Sequence, residues 1–119
     1  MTSNNFQGDA MAEVKVLVYP SKDVESTKAL FNTFFGVEPY ADSPYYVGYR
    51  IGSMEVGIDP NGTEIIAYTE VEDAASSLQA LVDAGASIVQ EPKDVGGGML
   101  IAQAKDASGN VIGLRQANQ

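Results

Sequence analysis

The chain contains no cysteine and no histidine. The first absence excludes disulfides and thiolate metal sites. The second removes the commonest transition-metal ligand and the commonest general base. A conventional hydrolase triad is excluded with it. Any metal site has to be built from oxygen donors, which suits hard cations. Basic residues are scarce, with 7 Lys and Arg against 16 Asp and Glu, a net charge of −9. Such a surface repels a nucleic-acid backbone and an anionic membrane, so neither is expected as a partner. No apolar run approaches the length of a membrane span. The opening "MTSNNFQGDAM" has no basic stretch followed by an apolar one, so it does not read as a signal peptide. Residues 1–12 are expected to be a disordered leader, with Met11 an alternative start, and the protein is expected to be cytoplasmic.

What is present suits one globular domain with its own core: 119 residues, 45% of them hydrophobic. "EVKVLVY" alternates, with Val14, Val16 and Val18 on one face and Lys15, Leu17 and Tyr19 on the other. "SKDVESTKALFNTFFG" has helix signals. Ser21 or Asp23 can cap it, Glu25 lies in the first turn and Gly36 stops it. Val24, Thr27, Leu30, Phe31 and Phe34 fall at helical spacing. "YYVGYRIGSMEVGID" reads as a hairpin turning at Gly52-Ser53. That register pairs Arg50 with Glu55 and Gly48 with Gly57. After the turn "PNGT" the plan repeats. "EIIAYTEV" is a strand, and "EDAASSLQALVDAG" is a helix capped by Asp73 and stopped by Gly85. The inner face of that helix takes Ala74, Leu78, Leu81 and Val82. "SIVQEP", "GMLIAQA" and "VIGLRQ" are strands. A repeat of about fifty residues signals two copies of one supersecondary unit.

The glycine triplet in "DVGGGM" is followed by no lysine and no helix start, so it reads as a flexible loop, with Met99 an adaptable apolar contact. Glu70, Glu72 and Asp73 read as solvent-facing or capping carboxylates, and Asp106 and Asn110 as turn formers. Gly113, at the centre of the last strand, marks a bulge, a close approach or open space.

Two βαβββ units, with "DVESTKALFNTFFGVEP", "VEDAASSLQALVDAGA" and the turn residues Asp106, Gly109 and Asn110, resemble the vicinal oxygen chelate superfamily. This is the fold of glyoxalase I, extradiol dioxygenases and bleomycin-resistance proteins. The resemblance covers residues 13–116. It implies an α+β fold in which two βαβββ modules, 13–59 and 64–116, form a curved mixed sheet around a cavity. Metal-dependent members hold one divalent ion on four inward side chains. The matching positions here are Lys15, Glu55, Ile66 and Gly113. Only Glu55 among them offers a donor, so neither a metal nor another cofactor is expected. Lys15 is then expected to supply the missing charge, pairing with Glu55 and with Arg50 nearby. The alternative reading of these three is a structural ion-pair cluster.

Tyr19, Tyr46 and Tyr68 are expected to face the cavity, Tyr45 and Tyr49 the helix. Tyrosine is also simply a good strand former. The expected ligand-binding set is Lys15, Tyr19, Tyr46, Arg50, Glu55, Ile66, Tyr68, Met99, Gly113 and Arg115, and no catalytic residue is assigned. The implied function is binding of a small organic molecule, aromatic or anionic, by a homodimer of the metal-free, drug-sequestering kind. Two alternatives stand beside it. One is a metal-independent lyase or isomerase using Lys15, Glu55 or a cavity tyrosine. The other is an interaction module with a vestigial cavity.

Overall fold

Two aspartates start the two helices. Asp23 accepts from the Ser26 amide at 3.2 Å, and Asp73 from the amides of Ala75 and Ser76. Each satisfies donors that the first turn leaves orphaned. The computed structural model describes residues 12–117; the expected leader, apart from Ala12, lies outside them. In chain order the elements are β1 (Glu13–Pro20), α1 (Val24–Phe35), β2 (Ala41–Asp42), β3 (Val47–Ile51) and β4 (Met54–Asp59). There follow β5 (Ile66–Glu70), α2 (Ala74–Asp83), β6 (Ser87–Asp94), β7 (Leu100–Lys105) and β8 (Val111–Gln116). This is an α+β fold in which βαβββ occurs twice. The two-residue β2 carries no strand signal in the sequence. Among the described residues no helix is long and apolar enough to cross a membrane.

Among the described residues the contacts define two units, 14–67 on the one hand and 68–117 with Glu13 on the other. In the first, the strand order is β2-β3-β4-β1. β1 runs parallel to β4, and the other pairs are antiparallel. The hairpin register is the expected one, Arg50 opposite Glu55 and Gly48 opposite Gly57. Gly52 has φ +63° and no other residue in the turn has positive φ, as a type II′ turn requires. In the second unit the order is β5-β8-β7-β6, with β5 parallel to β8.

Each unit covers one sheet face with its own helix. In the first, Val47, Tyr49, Val56 and Ile58 are buried, and Tyr19, Val24, Phe31, Phe35 and Ile51 pack on them. Tyr49 is fully buried, yet its hydroxyl donates to Asn32 Oδ1 at 2.7 Å. Burial pushes its pKa up, so it stays a donor. Tyr49 therefore faces the helix as expected, but Tyr19 does too: its ring meets Phe31 edge-on at 5.3 Å. The expected inner face of α1 is also rotated. Phe31 and Phe35, four apart, face the sheet, while Leu30 and Phe34 are 66% and 81% exposed. A step of one residue swings a helical side chain about 100° round the axis. In the second unit, Val71, Ala74, Leu78, Ala102, Ala104 and Leu114 form the core.

These faces have opposite mutational signatures. Leu78→Ala, at 3% exposure, should lower unfolding stability by about 2–5 kcal/mol in a denaturant titration. Phe34→Ala should stay within about 0.5 kcal/mol of the parent.

Candidate functional site

Strand alternation decides what lies on the face that α1 leaves uncovered. Val16 and Glu55 are register partners, as are Val18 and Gly57. On β3, Gly48 and Arg50 share their face. Glu55 therefore stands among Val16, Gly57, Gly48 and Arg50. Lys15, one residue from Val16, has the parity of Leu17 and Tyr19 and so belongs to the helix side. The expected ligand position on β1 falls at Val16, not at Lys15, and the expected Lys15–Glu55 pair lies across opposite faces.

Glu55 is held by tyrosines instead. The Tyr40 hydroxyl donates to its Oε1 at 2.6 Å, and the Tyr46 hydroxyl donates to its Oε2. Tyr40 leads into β2, where its amide donates to the Gly48 carbonyl at 2.9 Å. The Arg50 guanidinium stacks over the Tyr40 ring, 4.1 Å from its centroid. Burial, then the bond to Glu55, raises the Tyr40 pKa above its ordinary 10.0. Tyr40 is thus kept protonated and donating.

The Tyr46 ring lies against the paired glycines. A Cβ built at Gly57 would stand 2.5 Å from Tyr46 Cε1 and 2.6 Å from Cζ, and one at Gly48 2.9 Å from Cε2. A side chain at either position would have to displace the Tyr46 ring from this place. Arg50, Tyr46 and Glu55 are thus brought together, and Tyr40 joins them unforeseen. It sits outside any readable strand, in "GVEPYAD".

In the second unit, Tyr68 pairs with Gly113, and Gly113 with Gln103, across three strands. The three share the face that α2 leaves uncovered. Gln103 Nε2 donates to the Tyr68 hydroxyl at 2.7 Å, so the two side chains bridge over the glycine between them. Gln103 also goes unsignalled in the sequence, since a glutamine on a strand looks like a solvated position. Arg115 is ion-paired with Glu70, its register partner, whose second oxygen accepts from the Ala117 amide at 2.9 Å. Glu70 is therefore a half-buried anchor rather than a solvent-facing or capping carboxylate. Ile66 is half-buried and shares the parity of Tyr68. Met99 closes the β6–β7 turn, its amide donating to the Gly96 carbonyl at 3.1 Å.

The two units can be aligned through their caps. Val18 and Tyr68 stand equally far before Asp23 and Asp73, and they pair with Gly57 and Gly113 respectively. Gly113 is therefore the counterpart of Gly57, and Val111, not Gly113, is the counterpart of Glu55. The donor set does not fit a divalent ion. Glu55 is the one carboxylate at the compared positions, and both its oxygens already accept a phenol. Among the described residues no group of three or more acidic side chains is placed to hold a metal.

Neither a protein-family model nor a curated protein matches the sequence. Solved structures do match. A hypothetical protein from Bacillus halodurans superposes with TM-score 0.75 at 11% identity, covering 92% of this chain and 96% of that one. A glyoxalase/bleomycin resistance protein/dioxygenase superfamily member from Vibrio splendidus gives 0.69 at 15% identity, covering 90% and 100%. The methylmalonyl-CoA epimerase of Streptomyces coelicolor gives 0.69 at 12% identity, covering 89% and 97%. The chain has the fold of the glyoxalase/bleomycin-resistance/dioxygenase superfamily.

Glu55 should be legible in the titration of its partner. Tyr40 contributes stability that is fully present below pH 10, where the phenol is protonated in both folded and unfolded chains. That contribution is lost as pH rises through its raised folded pKa. In Glu55→Gln the phenolate absorbance of Tyr40 should appear at lower pH than in the parent, with burial retaining part of the shift. An unchanged Tyr40 titration would show that Glu55 does not hold it.

Proposed function

We propose that the chain binds a small organic molecule through aromatic and hydrogen-bonding contacts, without a metal ion and without transforming it. The observation that carries this reading is the state of Glu55. It is the one acidic side chain at the positions where metal-dependent proteins of this fold present ligands. Both its oxygens already accept a phenol, and no second carboxylate stands at the compared positions to share the charge of an ion. Proton transfer through Glu55 would have to compete with the two phenols that its oxygens already accept. The faces opposite both helices carry flat rings with polar tips, a composition suited to an aromatic ligand. Epimerase chemistry belongs to a structural neighbour at 12% identity and is not carried over.

The test is calorimetric titration with a panel of planar aromatic compounds, each run with and without EDTA, followed by mass spectrometry of the recovered compound. At least one compound should bind saturably, equally well with the chelator, and be recovered unchanged. At a hundredfold its dissociation constant it should stabilise the protein by about 2.7 kcal/mol. Binding that requires one equivalent of divalent metal, or conversion of the compound, contradicts the reading.

A further inference from the structure

Two glycines face each other in the interior of a strand pair, where glycine ordinarily weakens a sheet. What they provide is a flat floor on β3 and β4. At one edge of that floor stands Glu55, a carboxylate that only accepts hydrogen bonds when ionised. Tyr40 forms a wall beside it, with Arg50 stacked on its ring. The floor is occupied by the chain's own Tyr46, whose ring rests on the glycines and whose hydroxyl reaches Glu55.

Tyr46 is not delivered by a strand. It ends the short turn of residues 43–46, just before β3. The turn is tied together by Ser43. Its amide donates to the Tyr46 carbonyl at 3.0 Å, and its hydroxyl oxygen accepts from the amides of Tyr45 and Tyr46, each at 3.2 Å. The side-chain bonds of this turn that involve Ser43 are solvent-exposed, and exposed bonds are the kind that open locally at low cost. Swinging the turn outward removes the ring from the floor and leaves the β3–β4 ladder intact.

We propose that Gly48, Gly57 and Glu55 form a binding site for a neutral hydroxyaryl ring, and that Tyr46 covers this site as an internal surrogate ligand. The proposal rests on the metal-free binding reading above and narrows its ligand class. A phenol reproduces two contacts of Tyr46, the ring on the glycine floor and the hydroxyl donated to Glu55. An aryl carboxylate does not, because its charge opposes that of Glu55. The cover imposes a population cost: apparent affinity is the intrinsic affinity multiplied by the fraction of molecules with Tyr46 displaced.

The probe is p-cresol, the tyrosine side chain as a free molecule, with toluene as its hydroxyl-free control. Binding is read by calorimetry and by ring-proton NMR, in EDTA throughout. The expected order of affinity is parent weakest, Tyr46→Phe intermediate and Tyr46→Ala tightest, spanning at least about tenfold. In Tyr46→Ala, p-cresol should bind at least about tenfold more tightly than toluene, because toluene leaves Glu55 without a donor. If Tyr46→Ala does not fold by circular dichroism, the comparison of Tyr46→Phe with the parent decides.

Equal p-cresol affinity in all forms, no binding to a folded variant, or toluene matching p-cresol overturns the proposal. Its failure is separable from failure of the wider reading. A panel compound that binds the parent through Tyr68 and Gln103, with p-cresol affinity unchanged in Tyr46→Ala, sinks the Tyr46 cover and leaves metal-free binding standing. A metal requirement in the panel sinks that reading, while the p-cresol series in EDTA still reports on the covered floor.

Discussion

A phenol on each oxygen of one carboxylate organises the uncovered face of the first unit. Charge-assisted bonds of this kind are stronger than neutral ones, and they fix the geometry of both partners. Satisfying Glu55 brings Tyr40 in from the segment before β2 and Tyr46 in from the turn before β3. Holding the Tyr46 ring there requires that nothing project from Gly48 and Gly57 beneath it. Arg50 then covers Tyr40 from outside. A single acidic side chain thus explains two glycines in strand interiors, two ring orientations and the place of a cation.

The second unit solves a related problem with neutral groups. Gly113 again lies on the fourth strand of its module, beneath polar side chains that meet above it. Here Gln103 and Tyr68 bond to one another across the glycine. The charged pair of that unit, Glu70 with Arg115, sits one alternation further along the same strands and ties down the chain end through Ala117. On both uncovered faces a glycine of the fourth strand has a tyrosine beside it, in contact with Tyr46 in the first unit and paired with Tyr68 in the second.

Much of this architecture is legible in the sequence, because its signals are local. The Asp caps, the helix stops, the II′ turn and the hairpin register each rest on a few adjacent residues. The repeat follows from the equal spacing of those signals. Facing is less legible. In "EVKVLVY" both parities are largely apolar, so alternation offers no contrast between the helix side and the free side. Three valines on one face and Lys15, Leu17 and Tyr19 on the other invite the wrong choice. Tyr19 declares its side only through its contact with Phe31. The site itself is half legible. Glu55, Arg50 and Tyr46 stand in a hairpin of known register, whereas Tyr40 and Gln103 join through bonds that span many residues and leave no periodic trace. Gly113 matches a ligand position in the sequence pattern, but strand pairing makes it the counterpart of Gly57 and puts Val111 at the place of Glu55.

The account turns on Glu55 being an acceptor for two phenols rather than a ligand for an ion. Proton NMR of the tyrosine hydroxyls reads this directly. The account predicts two slowly exchanging hydroxyl resonances, assigned to Tyr40 and Tyr46, with cross-peaks to the Glu55 side chain, unaltered by excess Zn²⁺ or by EDTA. Loss or displacement of both resonances on adding one equivalent of a divalent ion would contradict it.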